Sequence, residues 1–117
     1  MLGEGDSLAT RWATVDFLDV ECANVLATTT RGGAIESSYA ERSLGIIAAL
    51  PLARWPAAGI LESALLLSCA HGISVYDACY VALADALGVA LLTADRKLVR
   101  KLEDTGHAVV HLGDIGV

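Results

Sequence analysis

Residues 74–95, SVYDACYVALADALGVALLTAD, decide the fold of this chain. Ser74 is a typical helix N-cap, and an acid follows three positions later, which is a capping-box spacing with Asp77 in place of Glu. Nearly unbroken apolar residues then lead to Gly88, which supplies the left-handed conformation that ends many helices. Residues 89–92 predict a strand buried on both faces, as in a parallel sheet. The stretch therefore predicts a buried helix, a turn and a buried strand.

Two carboxylates lie at the ends of these predicted elements. Asp77 is in the first helical turn, with Tyr80, Val81 and Ala84 on the same side of the helix. An acid on an apolar helical face is costly unless it is paired, hydrogen-bonded or bound to a cation. Asp95 follows the strand, and open α/β sheets bind ligands at the carboxyl ends of their strands. Together the two acids indicate a metal site.

Each acid also has a purely structural interpretation. Asp77 can cap its own helix, because acids are common in a first helical turn. Asp95 can be the N-cap of a following helix over residues 97–103. The spacing alone leaves both interpretations open.

The composition limits the class of protein. The length of 117 residues suits one domain with one core, so we expect a single domain over residues 1–117. The chain is 55% hydrophobic, but no apolar run reaches the roughly 18 uncharged residues of a membrane span, which predicts no membrane contact. The net charge of −6 argues against a broad basic surface for nucleic acid. It is compatible with a metal-dependent phosphodiesterase, whose site is itself acidic.

Cysteine usage predicts a cytoplasmic protein. Cys22, Cys69 and Cys79 form no CxxC pair and lie among apolar residues, so we expect three reduced, buried thiols. No signal-peptide pattern follows Met1. The sequence contains no GxGxxG, GxxxxGK[ST] or GxSxG motif, so a nucleotide-cofactor enzyme or a serine hydrolase has no support.

The rest of the chain alternates between predicted helices and short strands. Residues 2–12 are poorly periodic and predict only a brief helix, capped by Asp6 or Ser7 and ending near Trp12. The other helices are expected at 17–30, 37–50, 57–70 and 97–104, and the other strands at 13–15, 52–55 and 108–112. This order predicts an α/β fold with a mainly parallel sheet. His71 is expected to lie at a helix C-terminus, while His107 and His111 lack a third zinc ligand.

Glu21 and Asn24 are spaced i,i+3 in the helix predicted over residues 17–30, so their side chains share one face. Their sequence neighbours are mostly apolar, which predicts a carboxylate and an amide in an apolar setting. The alternative is an exposed polar stripe on the helix.

Three segments together resemble the PIN-domain ribonucleases, in particular the VapC-type toxins of bacterial toxin–antitoxin pairs. They are DVECANVL at residues 19–26, SVYDACYVAL at 74–83 and LTADRKL at 92–98. The likeness covers residues 17–112. It implies a PIN-like α/β/α sandwich and an endoribonuclease that hydrolyses RNA and is neutralised by a cognate antitoxin. Antitoxins of this family often insert an arginine into the acidic site, consistent with arginine–carboxylate pairing.

The resemblance also implies the site residues. Glu21, Asp77 and Asp95 match the family's catalytic acids, which hold Mg²⁺ or Mn²⁺; Thr93 matches its hydroxyl position and Asn24 its supporting amide. Oxygen ligands suit hard divalent cations. Such a cation lowers the pKa of an attacking water and offsets the charge of the phosphate. Carboxylates gathered in this way repel one another when no cation is present.

The sequence departs from the family at its start. The family's first, central strand carries an aspartate, and no residue before Phe17 matches it, since Glu4 and Asp6 lie in a Gly-rich segment. We therefore expect either a domain truncated at its N-terminus or a misplaced start codon. A sheet without that strand has unpaired edges, which predicts a homodimer or strand exchange. Two other hypotheses remain: a degenerate PIN domain that binds RNA or antitoxin without cutting, and a plain structural α/β module.

Overall fold

The computed structural model describes residues 12–115, so the brief helix predicted between Asp6 or Ser7 and Trp12 lies almost entirely outside the described residues. The chain divides into two compact units, one ending at Trp55 and one beginning at Pro56. Each unit contains one described pair of parallel strands. The parallel pairing predicted from the sequence is confirmed, and the single domain over residues 1–117 stays a prediction.

The first unit is a strand, two helices and a second strand. Its elements are β1 (Ala13–Val15), α1 (Leu18–Arg31), α2 (Ser37–Ala48) and β2 (Ala53–Trp55). Helices α1 and α2 pack against each other. Along the chain, both helices lie between the two paired strands. Thr14 and Val15 of β1 are buried. All four elements lie within two residues of their predicted bounds.

Arg54, on β2, joins the elements of the first unit. Its Nε donates to Asp19 Oδ2 at 2.9 Å and its Nη2 to Asp19 Oδ1 at 3.1 Å, which makes a bidentate ion pair with the first turn of α1. The same guanidinium donates to the carbonyl of Ile47 at 3.0 Å, and to those of Leu50 and Leu52 at 3.3 and 3.4 Å. One side chain therefore holds the start of α1 and the end of α2 against β2.

The second unit contains three helices and a parallel strand pair. A 3₁₀ turn (Ala57–Ile60) leads into α3 (Leu61–His71), followed by α4 (Val75–Leu87), β3 (Leu91–Thr93), α5 (Arg96–Lys101), β4 (Val109–His111) and a 3₁₀ turn (Leu112–Asp114). The strands pair from Leu91 with Val109 to Thr93 with His111.

The core of the second unit is built around α4, as predicted for an almost continuously apolar helix. The buried residues of α4 are Ala78, Cys79, Val81, Ala82, Leu83 and Ala84. Most are small, which lets the neighbouring helix α3 pack closely with its own buried Ala64. Leu98 and Leu102 complete this core from α5 and the residue that follows it.

Helix α4 begins and ends where its sequence predicts. Ser74 Oγ accepts the N–H of Asp77 at 3.0 Å, and Gly88 takes the left-handed conformation at φ 67°. The Gly88 N–H bonds to the Asp85 carbonyl and the Val89 N–H to the Ala84 carbonyl, which together form a Schellman motif.

This cap corrects the strand predicted over residues 89–92. Val89 is still bonded to the end of α4, so the ladder cannot begin there. It starts at Leu91, whose N–H donates to the Ala108 carbonyl at 2.8 Å, and it continues to Thr93. The strand is therefore shorter and later than the apolar run suggests.

The three cysteines are free, but the prediction that all are buried is wrong. Cys79 is buried in the core, Cys22 is half-buried and Cys69 is exposed. Cys69 lies on α3, which is apolar around most of its circumference and buries only Ala64 completely. An apolar sequence therefore does not place every residue of this helix in the core.

A helix that crosses a membrane must be both long and apolar, and this requirement can be applied to the helices over residues 12–115. In that range no single helix is both long enough and apolar enough to cross one. Only the consecutive segments Ala57–His71 and Val75–Leu87 reach the required length together, and the chain bends by 115° between them.

Candidate active site

Asp77 is in the first turn of α4, where its side chain is half-buried. Its backbone N–H is capped by Ser74. Its carboxylate, however, accepts no hydrogen bond and forms no ion pair with any residue in the range 12–115. The capping box is thus only half formed, because the acid does not bond back to the N-cap. A reciprocal cap bond therefore does not account for this carboxylate, although its place in the first turn is favoured by the helix dipole. Both the structural interpretation and a metal-ligand role stay open for Asp77.

Asp95 is the N-cap of α5, so its structural interpretation is confirmed. Its Oδ1 accepts the N–H groups of Lys97 at 2.9 Å and Leu98 at 3.3 Å. Its own N–H donates to Thr93 Oγ1 at 3.1 Å. Both cap bonds use Oδ1, and Oδ2 has no hydrogen-bond partner in the described part of the chain. The cap therefore fixes the orientation of the carboxylate while one oxygen stays exposed for a ligand.

His111 holds the loop that carries Asp95. It ends β4 directly opposite Thr93 in the ladder. Its Nδ1 accepts the N–H of Gly113 at 2.8 Å, so the ring proton must be on Nε2, which lies 3.0 Å from the Ala94 carbonyl and donates to it. These two bonds connect the 3₁₀ turn after β4 to the residue just before Asp95.

The sequence does not predict this role of His111, for which only a zinc site was weighed. The contact depends on the register of β3 and β4, whose paired residues are far apart in the chain. A histidine in the last strand gives no sign of that register.

In the first unit, Glu21 and Asn24 lie one turn apart on α1. Glu21 is half-buried, whereas Asn24 is exposed. Of the two interpretations given for this pair, the exposed polar stripe fits Asn24 better, because the neighbouring Val20 and Val25 are 70% and 63% exposed. No residue of α1 is fully buried, so a mixed sequence on this helix does not create an apolar pocket.

The start of α1 carries two carboxylates, Asp19 and Glu21. Burial, followed by the nearby carboxylates of Asp19 and Glu21, raises the pKa of the Cys22 thiol. Arg54 compensates Asp19 directly through the bidentate pair. Acids in a first helical turn are also favoured by the helix dipole. This end of α1 therefore carries two neighbouring acids, Asp19 and Glu21, of which Glu21 is the one predicted from the sequence as a metal ligand.

The predicted site residues fall in both units. Thr93 and Asp95 are brought together by a hydrogen bond, and Asp77 lies in the same unit, on a helix that packs against β3. Glu21 and Asn24 belong to the other unit. Over residues 12–115, neither unit by itself contains three His, Cys, Asp or Glu residues placed to hold a metal ion. The convergence of Glu21, Asp77 and Asp95 on one cation stays a prediction.

The other two histidines form a separate cluster. His107 Nδ1 lies 2.8 Å from Asp85 Oδ2 on α4, and the ring of His107 meets that of His71 edge-on with centroids 5.4 Å apart. His71 is the last residue of α3, as predicted. These contacts tie the segment before β4 to α3 and α4, so the cluster is structural.

These features define an α/β domain with acids at the start of a buried helix and just after a parallel strand. The PIN domain family matches residues 4–103, and the chain belongs to this family. It is 38% identical over 92 residues to Ribonuclease VapC3 of Pyrobaculum aerophilum, covering 75% of this chain and 69% of that protein. It is 35% identical over 91 residues to Ribonuclease VapC9 of Mycobacterium tuberculosis, covering 78% and 67%. The family and the α/β fold class predicted from the three segments are confirmed.

Proposed function

We propose that this protein is a metal-dependent endoribonuclease of the VapC toxin type, which hydrolyses RNA phosphodiester bonds and is neutralised by a cognate antitoxin. The observation that carries the proposal is the carboxylate of Asp77, half-buried at the start of α4 and without a partner in the described chain. The free oxygen of Asp95 supports it. So do the names of VapC3 and VapC9, both of which are called ribonucleases.

The available donors suit a hard divalent cation. We propose that Glu21, Asp77 and Asp95 hold Mg²⁺ or Mn²⁺, with Asn24 as a supporting amide, because all of these donors are oxygens. When bound, the cation supplies a Lewis acid that lowers the pKa of water and offsets phosphate charge.

Hydrogen bonds within the protein restrain the residues proposed to meet the substrate and the cation. The N-cap bonds restrain the Asp95 side chain through Oδ1, so less side-chain freedom is lost when a ligand binds at Oδ2. Thr93 Oγ1 already accepts the Asp95 N–H, and its own proton is left to donate to a phosphate oxygen. The backbone of Asp77 is fixed by the N-cap of a buried helix. We infer that Thr93 and Asp95 present a preorganised donor and acceptor to the substrate, beside the carboxylate of Asp77.

The proposal is tested by removing the metal from the purified protein. We expect cleavage of a labelled RNA in Mg²⁺ or Mn²⁺, loss of at least about a hundredfold in rate with EDTA, and recovery when Mn²⁺ is added back, because the cation supplies the main electrostatic stabilisation. Mn²⁺ binding is measured in parallel by calorimetry. Cleavage that is unaffected by EDTA contradicts the proposal. Absence of Mn²⁺ binding at millimolar concentration favours the degenerate PIN domain that binds without cutting.

We also propose that the protein forms a homodimer in the cytoplasm. Large apolar side chains on α3 are exposed: Leu61, Leu65 and Leu66 are 51%, 54% and 64% accessible. Patches of this kind are typical of protein interfaces. The three free cysteines fit a reducing compartment.

His111 is expected to be a positioning residue for Asp95. His111→Phe removes the hydrogen bonds to Ala94 and Gly113 and leaves the Asp95 loop less restrained. We expect about a tenfold higher Mn²⁺ concentration for half-maximal cleavage, which corresponds to one or two hydrogen bonds of about 1 kcal/mol each. His111→Gln keeps a donor for the Ala94 carbonyl and should recover much of the loss.

The matched control is His71→Phe, which changes the same residue type away from this loop. A purely structural role of His111 would lower thermal stability without changing the Mn²⁺ dependence. An unchanged Mn²⁺ dependence in His111→Phe rejects the positioning role.

A further inference from the structure

Half of the basic residues of this acidic chain lie on one short helix. The chain has eight Lys and Arg residues and a net charge of −6. Helix α5 has six residues. Four of the eight basic residues are in it, and all four are exposed: Arg96, Lys97, Arg100 and Lys101.

Intramolecular contacts account for only part of this charge. Lys101 Nζ donates to the Gly72 carbonyl at 2.9 Å. Arg96 Nη2 lies 3.5 Å from Asp114 Oδ1, with both side chains more than half exposed, and such pairs contribute little to stability. Lys97 and Arg100 form no hydrogen bond or ion pair through their side chains within residues 12–115. Two cations are therefore uncompensated and a third is loosely paired.

Helix stability does not explain the pattern. Arg100 and Lys101 in the last turn are favoured by the helix dipole, but Arg96 and Lys97 are in the first turn, where a positive charge is unfavourable. Leu98 is the residue that α5 buries, so the cations are not needed for packing. Lys97 and Arg100, spaced i,i+3, project from one face of the helix.

We propose that the exposed cations of α5, with Lys97 and Arg100 as the main contacts, bind the phosphate backbone of the RNA substrate beside the cleavage site. This inference rests on the proposed ribonuclease function. Helix α5 begins directly after Asp95, its N-cap, so its cations adjoin the proposed acidic site. Carboxylates repel a polyanion, and cations next to them offset that repulsion where the strand must approach.

The test compares RNA affinity across salt concentrations in EDTA, where no cleavage is expected. The probe is a fluorescein-labelled single-stranded RNA followed by anisotropy. For the double variant Lys97→Gln/Arg100→Gln we expect about a tenfold weaker affinity near 0.1 M salt. The slope of log affinity against log salt should also become shallower by about 1.4, or about 0.7 for each lost phosphate contact on a single strand.

The matched control is Arg31→Gln/Arg42→Gln, which makes the same charge change on exposed residues of the first unit. Its affinity should stay within about twofold of wild type if contacts, rather than net charge, decide binding. Equal weakening in both double variants overturns the inference, as does a Lys97/Arg100 variant with wild-type affinity and slope. Circular dichroism confirms that each variant is folded.

The outcomes separate this inference from the proposed function. A wild-type protein that binds RNA through α5 but cleaves nothing in Mg²⁺ or Mn²⁺ rejects the nuclease and leaves the binding surface in place. Normal cleavage by a Lys97→Gln/Arg100→Gln variant with unchanged RNA affinity rejects the surface and leaves the nuclease in place. A variant that keeps its RNA affinity but loses binding to purified antitoxin assigns α5 to that partner, which also overturns the inference.

Discussion

Asp77→Asn should abolish metal-dependent RNA cleavage. Asparagine has the size of aspartate but no charge, so it cannot offset the charge of a divalent cation. We expect the rate to fall about a thousandfold or more, since even the loss of an outer-shell partner of a metal costs about 10–100-fold. Cleavage of a labelled RNA in Mg²⁺ and in Mn²⁺ measures the effect, and calorimetry measures the accompanying loss of Mn²⁺ binding.

The fold should survive this substitution. The cap of α4 uses the backbone N–H of residue 77 and the Ser74 hydroxyl, which remain, and the carboxylate has no partner to lose within the described residues. The matched control is Glu62→Gln on α3, an exposed acid without a side-chain partner in that range, which should cleave like wild type. Full activity in Asp77→Asn removes Asp77 from the site.

The parts of the fold that sequence predicts well are those set by local contacts. Helix α4 follows from the cap at Ser74, the apolar run and the left-handed Gly88, all of which act within a few residues. The strands are less predictable because each has only three residues. A run that short shows no period, and at Val89 the Schellman bond competes with strand formation.

The features of the candidate site also divide into those set by local contacts, which the sequence predicts, and those set by distant contacts, which it does not. The N-cap role of Asp95 depends on local contacts, and the sequence predicts it alongside the alternative role of metal ligand. The structure shows that the cap uses only one of the two carboxylate oxygens. The contact of His111 with Ala94 spans 17 residues and depends on strand register. The setting of Glu21 depends on which face of α1 other elements cover, and composition does not determine that.

Arg54→Ala should lower the free energy of unfolding more than any other substitution at a solvent-accessible charged residue. The Arg54–Asp19 pair is bidentate, and its side chains are only 24% and 31% exposed. Removing the guanidinium leaves Asp19 uncompensated and the Ile47 carbonyl without this donor. A fully buried pair broken in this way costs about 3–5 kcal/mol, whereas exposed pairs contribute below about 1 kcal/mol. For this half-buried pair we expect about 2 kcal/mol lower free energy of unfolding.

Urea unfolding measures the loss, and tryptophan emission reports it locally because both tryptophans, Trp12 and Trp55, belong to the first unit. The control Arg42→Ala, at an exposed arginine on α2, should change the free energy by less than about 0.5 kcal/mol. Arg54→Lys keeps the charge but loses the bidentate geometry, so its stability should lie between the two. An Arg54→Ala protein as stable as the Arg42 control would mean that α1 is held by its apolar contacts alone.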